Sequence, residues 1–185
     1  MGNEMGYLYF VRHGQTVWNV ENKICGATDI PLTELGHQQA IETGKIIVDQ
    51  EIHADIILYS PLVRAADTAA HISEITGISA RMEPRLIEQN FGKWESTPRT
   101  SQEFKKAKES FACSNDGGES HLRVAQRIYN LLDEIRQDSE KIYMIVAHNG
   151  IARVVQSYFY DMTNEEYAAF GVKNCAVVRY DFDEE

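Results

Sequence analysis

The chain contains 185 residues, of which 28 are acidic and 18 are basic, so its formal net charge at pH 7 is −10. Because 43% of the residues are hydrophobic and 25% are charged, we expect a folded globular protein, and the length predicts one domain over residues 1–185. The negative charge opposes binding to nucleic acid or to an anionic membrane, and the lack of a long apolar run or a signal peptide predicts a cytoplasmic protein.

Five strands are predicted from short runs of β-forming residues. Three of these runs are almost wholly apolar and too short for helices, which is typical of strands buried on both faces; they are residues 7–11, 56–59 and 142–147. A further strand is expected near residues 80–86. Apolar and charged residues alternate over residues 178–182, which indicates a last strand with one solvated face.

Helices are predicted where small or apolar residues recur at intervals of three and four. Gly36, Ala40 and Gly44 give residues 33–50 a flat face that can lie close to a sheet. Three further stripes predict helices: Leu62, Ala66, Ala69 and Ala70; Leu122, Ala125, Ile128, Leu132 and Ile135; and Ile151, Val155, Tyr158 and Phe159. The alternation of strands and helices predicts an α/β sandwich with a mainly parallel central sheet and a short lid insertion over residues 91–118.

Unusual polar residues follow four of the predicted strands. Arg12 and His13 follow the first strand, and Arg64 lies a turn beyond the second. Glu88 follows the third strand, and His148 follows the fourth. Because ligands of parallel α/β sheets bind beyond the carboxyl ends of the strands, these side chains are expected to meet at one edge of the sheet. Two guanidinium groups and two imidazoles repel one another unless they surround an anion, and a phosphoryl group suits arginine donors well.

These residues predict phosphoryl transfer through a histidine. A neutral His13 acts as the nucleophile when one ring nitrogen donates a hydrogen bond and the other presents its lone pair. Arg12, Arg64 and a protonated His148 then stabilise the charge on the transferring oxygens. Glu88 protonates the leaving oxygen and later accepts a proton from water, so the scheme needs neither a metal ion nor a cofactor.

Other chemistries fit the sequence less well. A zinc site of His13, His37 and His148 lacks the local ligand pairs usual for metals, and the arginines would oppose a dication. The sequence has no glycine-rich nucleotide loop, and Ser60 lies in no nucleophile elbow of a serine hydrolase. The other notable side chains are interpreted as reduced thiols (Cys25, Cys113 and Cys175) and as solvated or helix-surface histidines (His53, His71 and His121).

Several blocks of the sequence resemble those of a known family. The segment Arg12-His-Gly-Gln-Thr-Val-Trp-Asn19 is similar to the signature R-H-G-[EQ]-[ST]-x-x-N of the histidine phosphatase superfamily, also called the phosphoglycerate mutase-like family. The similarity continues in the family's order through residues 26–36 with 39–40, residues 60–64 with 68–69, Glu88 with residues 91–95, and His148. The resemblance therefore covers nearly the whole chain.

The resemblance implies a three-layer α/β/α fold of the phosphoglycerate mutase type and a cytosolic enzyme that needs no metal. It implies that His13 is transiently phosphorylated and that Glu88 donates and accepts the proton. It places Arg12, Arg64 and His148 in the phosphate pocket. The substrate-binding residues that we predict on this basis are Arg12, Asn19, Gly26, Arg64 and Asn149.

Departures from the family pattern lie near the expected substrate. Ser96 and Asn149 stand where glycine is usual, and Cys25 stands where similar mutases tend to have threonine. The lid is short, and its cations are Lys93, Arg99, Lys105, Lys106 and Lys108, of which the last three can equally be solvated. A mutase needs a closing lid with additional cations to keep its phosphoenzyme from water. We therefore expect a phosphatase for small phosphomonoesters of the sugar phosphate, phosphoglycerate or α-ribazole phosphate type.

Two other functions stay open as alternatives, a cofactor-dependent phosphoglycerate mutase and a non-catalytic domain that binds phosphorylated protein. A binding domain would need the arginines but neither His13 nor Glu88, and both residues are present. The expected partner is accordingly a small phosphorylated substrate.

Overall fold

A five-stranded sheet forms the centre of the protein. The computed structural model describes residues 6–183, so the predictions made for the amino-terminal five residues lie outside it. The strands are β1 (Tyr7–Arg12), β2 (Ile56–Tyr59), β3 (Ala80–Met82), β4 (Tyr143–Ala147) and β5 (Val177–Asp181). They lie in the order β3-β2-β4-β1-β5, with all neighbours parallel except β5, which runs antiparallel to β1. The prediction of a mainly parallel sheet is confirmed.

Helices flank the strands along the described residues. They are α1 (Val17–Val20), α2 (Glu34–Asp49), α3 (Val63–Thr76), α4 (Gln102–Ala107), α5 (His121–Gln137), α6 (Asn149–Phe159) and α7 (Asn164–Ala169), with short 3-10 helices at Pro84–Leu86 and Gly92–Trp94. Helix α2, predicted over residues 33–50, begins one residue later, after Thr33, whose hydroxyl accepts a hydrogen bond from the Gly36 N–H at 3.0 Å. None of the helices between residues 6 and 183 has the length and apolar character to cross a membrane.

The sheet is covered by helices on both faces. Successive side chains of β1 point to opposite sides, so Leu8 and Phe10 pack in the core beneath α5 and α6. Tyr9 and Val11 pack in the other core, beneath α2 and α3. Every residue of β4 is buried, as predicted for a strand covered on both faces. The three-layer α/β/α arrangement that the resemblance implied is thus present.

The third strand is shorter than predicted. It extends only over Ala80–Met82, at the edge of the sheet. Pro84 has no N–H to donate to a neighbouring strand, and it begins a 3-10 helix at this point. The Glu83 carboxylate accepts the Arg85 N–H at 3.1 Å and so caps that helix. The chain therefore turns away from the sheet before Glu88.

In two helices most of the predicted stripe is buried, but one predicted residue of each is exposed. Ala70 and Leu122 were expected in buried stripes, but both are exposed. The buried faces of α3 and α5 also include Ala65 and Val124, because contacts with the sheet and with neighbouring helices decide where each buried face ends. Spacing alone therefore predicted the helices and most of their buried residues, but not the edges of the buried faces.

His121 is buried, so its predicted surface position is wrong. The side chain is 5% exposed, and its ring packs edge-on against the rings of Phe111 and Tyr167, at centroid distances of 5.4 and 5.6 Å. Its Nδ1 atom has no hydrogen-bond partner. Burial, with a smaller effect of the charges on Arg153 and Lys108, lowers the pKa of His121 to about 4.

We expect His121 to destabilise the folded protein in acid. Its pKa is lower in the folded state than the value of 6.5 expected in the unfolded chain, so stability is lost as the pH falls below 6.5 towards 4. The loss at pH 4.5 should be about 2–3 kcal/mol from this residue. In His121→Phe, which keeps an aromatic ring but cannot bind a proton, the free energy of unfolding should fall less steeply. Urea denaturation at several pH values tests this, and equal slopes for the two proteins would contradict it.

Candidate active site

His13 follows β1, and one of its two ring nitrogens is free to act as a nucleophile. Its Nδ1 atom lies 2.7 Å from the carbonyl oxygen of Gly14. Because a carbonyl oxygen only accepts, Nδ1 carries the proton and Nε2 presents its lone pair. Burial, followed by the charges on Arg64 and Arg12, lowers the pKa of His13 well below 6.5. The imidazole is therefore neutral at pH 7, which is the form that a nucleophile requires.

His148 precedes α6 and lies beside His13, with 5.2 Å between the ring centroids. Its Nε2 atom is 2.6 Å from the hydroxyl oxygen of Ser60, which follows β2. Its Nδ1 atom is buried without a hydrogen-bond partner. Burial and the charge on Arg64 lower the pKa of His148 well below 6.5, so the ring is neutral at pH 7. The sequence led us to expect a protonated ring. When Nε2 accepts from the Ser60 hydroxyl, Nδ1 carries the proton and can donate it to an anion.

Arg12 and Arg64 each have a buried Nε atom with no hydrogen-bond partner. Arg12 donates from Nη1 to the carbonyl oxygen of Val172 at 2.6 Å. Arg64 donates from Nη2 and Nη1 to the carbonyl oxygens of Gly26 and Thr28, at 2.7 and 2.9 Å. Buried polar atoms without a partner are uncommon in folded proteins, and a bound anion would supply the missing acceptor.

Gly26 lies in the loop that holds Arg64. Its N–H donates to Glu95 Oε2 at 2.9 Å, and its carbonyl oxygen accepts from Arg64. A Cβ atom at this position would lie 2.2 Å from the carbonyl oxygen of Gln89, so glycine is required. Both backbone polar groups of Gly26 are occupied in this way. The structure therefore places Gly26 behind Arg64 and not among the residues that line the cleft.

Glu88 is a buried carboxyl group held in one position. Its Oε1 atom accepts the Gln89 N–H and its Oε2 atom accepts the Gly150 N–H, both at 2.9 Å. A Cβ atom on Gly150 would lie 2.4 Å from Glu88 Oε1, so the absence of a side chain lets the start of α6 reach this carboxylate. Glu88 lines the same cleft as His13 and Arg12. The edge of the sheet thus brings together the four strand ends that the sequence indicated.

Gly14 lies directly against helix α2. A Cβ atom on Gly14 would lie 2.4 Å from the carbonyl oxygen of Gly36 in α2. Its N–H donates to the hydroxyl oxygen of Thr68 in α3 at 3.1 Å. The two helices thereby fix the backbone that follows His13.

Asn19 and Asn149, both predicted to bind substrate, line one cleft together with His13. The side-chain oxygen of Asn149 accepts the Val172 N–H at 2.8 Å, and that of Asn19 accepts the Thr16 N–H at 3.0 Å. Because each amide oxygen is directed at a backbone donor, the two NH₂ groups are left as donors. Amide donors suit an anionic ligand.

Arg153 of α6 and Arg99 of the lid also line the cleft. Arg153 was not among the residues predicted from the sequence, although it lies three residues beyond Gly150 and hence on the same face of the helix. Lys108 is partly buried, and its Nζ donates to a carbonyl oxygen of α7 at 2.9 Å. The lid lysines that are exposed as expected are Lys105 and Lys106.

Between residues 6 and 183, no group of three or more metal-ligating side chains is placed to hold a metal ion. His37, which was considered with His13 and His148 as a zinc ligand, lies instead against His71, with 2.9 Å between Nδ1 and Nε2. His53 is exposed as predicted, whereas His71 is partly buried. The cysteines are free thiols: Cys25, Cys113 and Cys175.

Comparison with known proteins gives consistent relationships over almost the entire chain. A family model described as the histidine phosphatase superfamily, branch 1, matches residues 8–185. A probable phosphoglycerate mutase, GpmB, of Erwinia tasmaniensis is 31% identical over 184 residues, which cover 94% of this chain and 84% of that protein. The structure of a mycobacterial glucosyl-3-phosphoglycerate phosphatase superposes with a TM-score of 0.82 at 26% identity, covering 95% of this chain and 90% of that one. A phosphoserine phosphatase of Entamoeba histolytica, in complex with 3-phosphoglyceric acid, has a TM-score of 0.80 at 30% identity, with the same two coverages of 95% and 90%.

Proposed function

Because the chain belongs to the histidine phosphatase superfamily, we propose that it is a phosphatase that hydrolyses small phosphomonoesters through a phosphohistidine on His13. The observation that carries this proposal is the set of three buried nitrogens without partners around His13: Arg12 Nε, Arg64 Nε and His148 Nδ1. These nitrogens can donate hydrogen bonds to the oxygens of a phosphoryl group, while Nε2 of the neutral His13 ring presents its lone pair to the phosphorus atom.

The first chemical step transfers the phosphoryl group to the enzyme. His13 Nε2 attacks the phosphorus atom while the bond from phosphorus to the alcohol oxygen breaks. Arg12, Arg64 and the Nδ1–H of His148 stabilise the negative charge on the transferring oxygens. Glu88 gives its proton to the departing alcohol oxygen, which avoids release of a strongly basic alkoxide.

The second step returns the enzyme to its starting form. The Glu88 carboxylate takes a proton from water, whose oxygen attacks the phosphorus atom of phosphohistidine. The bond from phosphorus to Nε2 breaks, inorganic phosphate leaves, and His13 regains its lone pair. All positive charge in this scheme comes from side chains, so no divalent metal takes part.

The substrate class is supported by the small cleft and by the relatives. Two similar structures carry the names glucosyl-3-phosphoglycerate phosphatase and phosphoserine phosphatase. We infer that sugar phosphates, phosphoglycerates and similar monoesters, such as α-ribazole phosphate, are the class to test. A cytoplasmic location fits such substrates.

Phosphoglycerate mutase is the second candidate, because relatives about 31% identical carry that name. A mutase must retain a phosphorylated intermediate and keep the phosphoenzyme from water. Of the lid cations, Lys105 and Lys106 are exposed and Lys93 pairs with Asp116 at 3.0 Å, which leaves Arg99 lining the cleft. This arrangement favours hydrolysis over transfer.

A phosphoprotein-binding domain is less favoured, because it would need neither the lone pair on His13 Nε2 nor the hydrogen bonds that hold Glu88 in one position.

A panel of phosphomonoesters, assayed with excess chelator, tests the proposed function. We expect phosphate release at rates unchanged by the chelator, because arginine and imidazole groups supply the stabilisation that a metal would otherwise give. Addition of 2,3-bisphosphoglycerate should not convert 3-phosphoglycerate into 2-phosphoglycerate faster than phosphate is released. Activity that disappears on chelation and returns with a metal, or isomerisation faster than hydrolysis, would contradict the proposal.

A further inference from the structure

The peptide unit that follows His13 is held by side chains from two distant segments. The carbonyl oxygen of His13 accepts a hydrogen bond from Nδ2 of Asn174 at 2.9 Å. The Gly14 N–H, in the same peptide unit, donates to the hydroxyl oxygen of Thr68 at 3.1 Å. The His13 N–H donates to the carbonyl oxygen of Ala147 in β4 at 2.9 Å, so the sheet fixes the other side of the residue. Asn174 thus completes the support of the backbone that carries the nucleophile.

The same NH₂ group of Asn174 faces the side chain of Asn19. Its Nδ2 atom lies 3.4 Å from Asn19 Oδ1, a longer contact than the one to His13. Asn19 Oδ1 also accepts the Thr16 N–H at 3.0 Å. An NH₂ group has two protons, so Asn174 can donate to His13 and to Asn19 at once. With its oxygen occupied in this way, Asn19 keeps its own NH₂ group as a donor for the cleft that it lines.

The turn that carries Asn174 has a strained backbone. The next residue, Cys175, has a φ of 61°, in the left-handed region that a residue with a side chain rarely adopts. Its N–H donates to the carbonyl oxygen of Arg12 at 2.9 Å, and its carbonyl oxygen accepts from the hydroxyl of Thr43 in α2 at 3.0 Å. Strain of this kind persists only where surrounding contacts enforce it, and it is concentrated at functional sites. The contacts with β1 and α2 therefore fix the turn, and with it the side chain of Asn174.

The backbone that leads into this turn is also attached to the site. The carbonyl oxygen of Val172 accepts from Arg12 Nη1 at 2.6 Å, and its N–H donates to Asn149 Oδ1 at 2.8 Å. The segment before β5 therefore contacts residues that follow two different strands. Asn174 itself is not among the described residues that line the cleft, so it acts through His13 and Asn19 and not on the substrate.

We propose that Asn174 is a positioning residue for phosphoryl transfer, whose NH₂ group holds the carbonyl of His13 and the amide of Asn19 so that His13 Nε2 is aligned with the phosphorus atom. The attacking and leaving atoms lie roughly in line in such a transfer, and a displacement of about 1 Å can slow a reaction by about 10²-fold. The same alignment serves the second step, in which Nε2 is the leaving atom. The inference rests on the proposed function and adds to it a residue that does not touch the substrate.

Two substitutions separate the donor from the size of the side chain. Asn174→Ala removes the NH₂ group, whereas Asn174→Asp keeps the size but turns a carboxylate, which only accepts, towards two oxygen atoms. In Asn174→Ala we expect stopped-flow phosphoenzyme formation from p-nitrophenyl phosphate to slow by at least about tenfold, and in Asn174→Asp by at least as much. The inhibition constant of inorganic phosphate should change by less than about threefold in Asn174→Ala, because the arginines and His148 that would bind phosphate are unaltered.

This difference between rate and affinity separates positioning from a structural role. Each rate is expressed per phosphate-binding site, so that loss of folded protein does not count as loss of alignment. Lys173→Ala is the matched control, because Lys173 lies in the same segment and is exposed, and it should keep the wild-type rate.

Three results would overturn the positioning role while the wild type still forms the phosphoenzyme. One is a loss below about tenfold in Asn174→Ala. Another is a wild-type rate in Asn174→Asp, which would show that the side chain only fills space. The third is a loss of phosphate affinity in Asn174→Ala as large as the loss of rate. Failure of the wild type itself to form a phosphoenzyme would overturn the proposed function.

Discussion

His13→Ala should lower kcat/KM for p-nitrophenyl phosphate by at least about 10⁴-fold, because removal of a nucleophile leaves only binding and charge stabilisation. The effect should be this large even for an ester with a good leaving group, since the attack on phosphorus is itself lost. Steady-state release of p-nitrophenolate gives the measurement. The hydrogen bond from Nδ1 to Gly14 and the lowered pKa of His13 indicate that the ring is ready to react at pH 7.

His53→Ala is the matched control for this substitution. His53 is exposed, and its Nε2 lies 3.3 Å from the Asp55 carboxylate, away from the cleft. It should retain wild-type activity. If His13→Ala keeps more than about a hundredth of the wild-type rate, another group is the nucleophile.

Glu88→Gln should slow hydrolysis of an alkyl phosphate by about 10²- to 10⁴-fold but slow phosphoenzyme formation from p-nitrophenyl phosphate by less than about tenfold. An alkoxide is strongly basic and must be protonated as its bond to phosphorus breaks, whereas nitrophenolate leaves without help. Glutamine has nearly the same size, and its carbonyl oxygen can still accept one of the two N–H groups that hold Glu88. Stopped-flow measurement of the first turnover with each ester compares the two effects.

Glu95→Gln gives a control in the same segment of the chain. Both Glu95 oxygens accept backbone N–H groups, from Ala27 and Gly26 at 2.8 and 2.9 Å, and that loop holds Arg64. Loss of one acceptor should loosen Arg64 and slow the two esters to the same extent, because the transferred phosphoryl group is common to both. Equal slowing of the two esters in Glu88→Gln would show that Glu88 is not the acid.

The strands and the catalytic edge of the sheet could be predicted because they depend on local patterns and one general rule. Apolar runs indicated β1, β2 and β4 within one residue of their observed ends. The rule that ligands bind beyond the carboxyl ends of parallel strands then predicted that His13, Glu88 and His148 lie at one edge of the sheet.

What the sequence did not predict depends on distant contacts. Gly26 was expected to bind substrate, but its backbone groups are used by Glu95 and Arg64, a contact between segments far apart in the chain. The neutral state of His148 follows from its burial, which spacing does not reveal. His121 became a core residue because Phe111 and Tyr167 close over it from the lid and from α7.

One departure from the family pattern has a visible physical consequence. Ser96 stands where glycine is usual, and it adopts a positive φ of 65°. Glycine reaches this left-handed conformation without the steric penalty that a side chain brings. The neighbouring Glu95 carboxylate nevertheless holds the Gly26 loop, so the support of Arg64 is retained.

Trapping the phosphohistidine on His13 tests the proposed function most directly. Wild-type protein is mixed with p-nitrophenyl phosphate, quenched in denaturing alkali within the first turnover, and digested for mass spectrometry. We expect an alkali-stable, acid-labile phosphoryl group on His13 that forms and decays at least as fast as kcat, and that is absent from His13→Ala. A label on another residue, a label that persists in His13→Ala, or turnover with no labelled protein would contradict it.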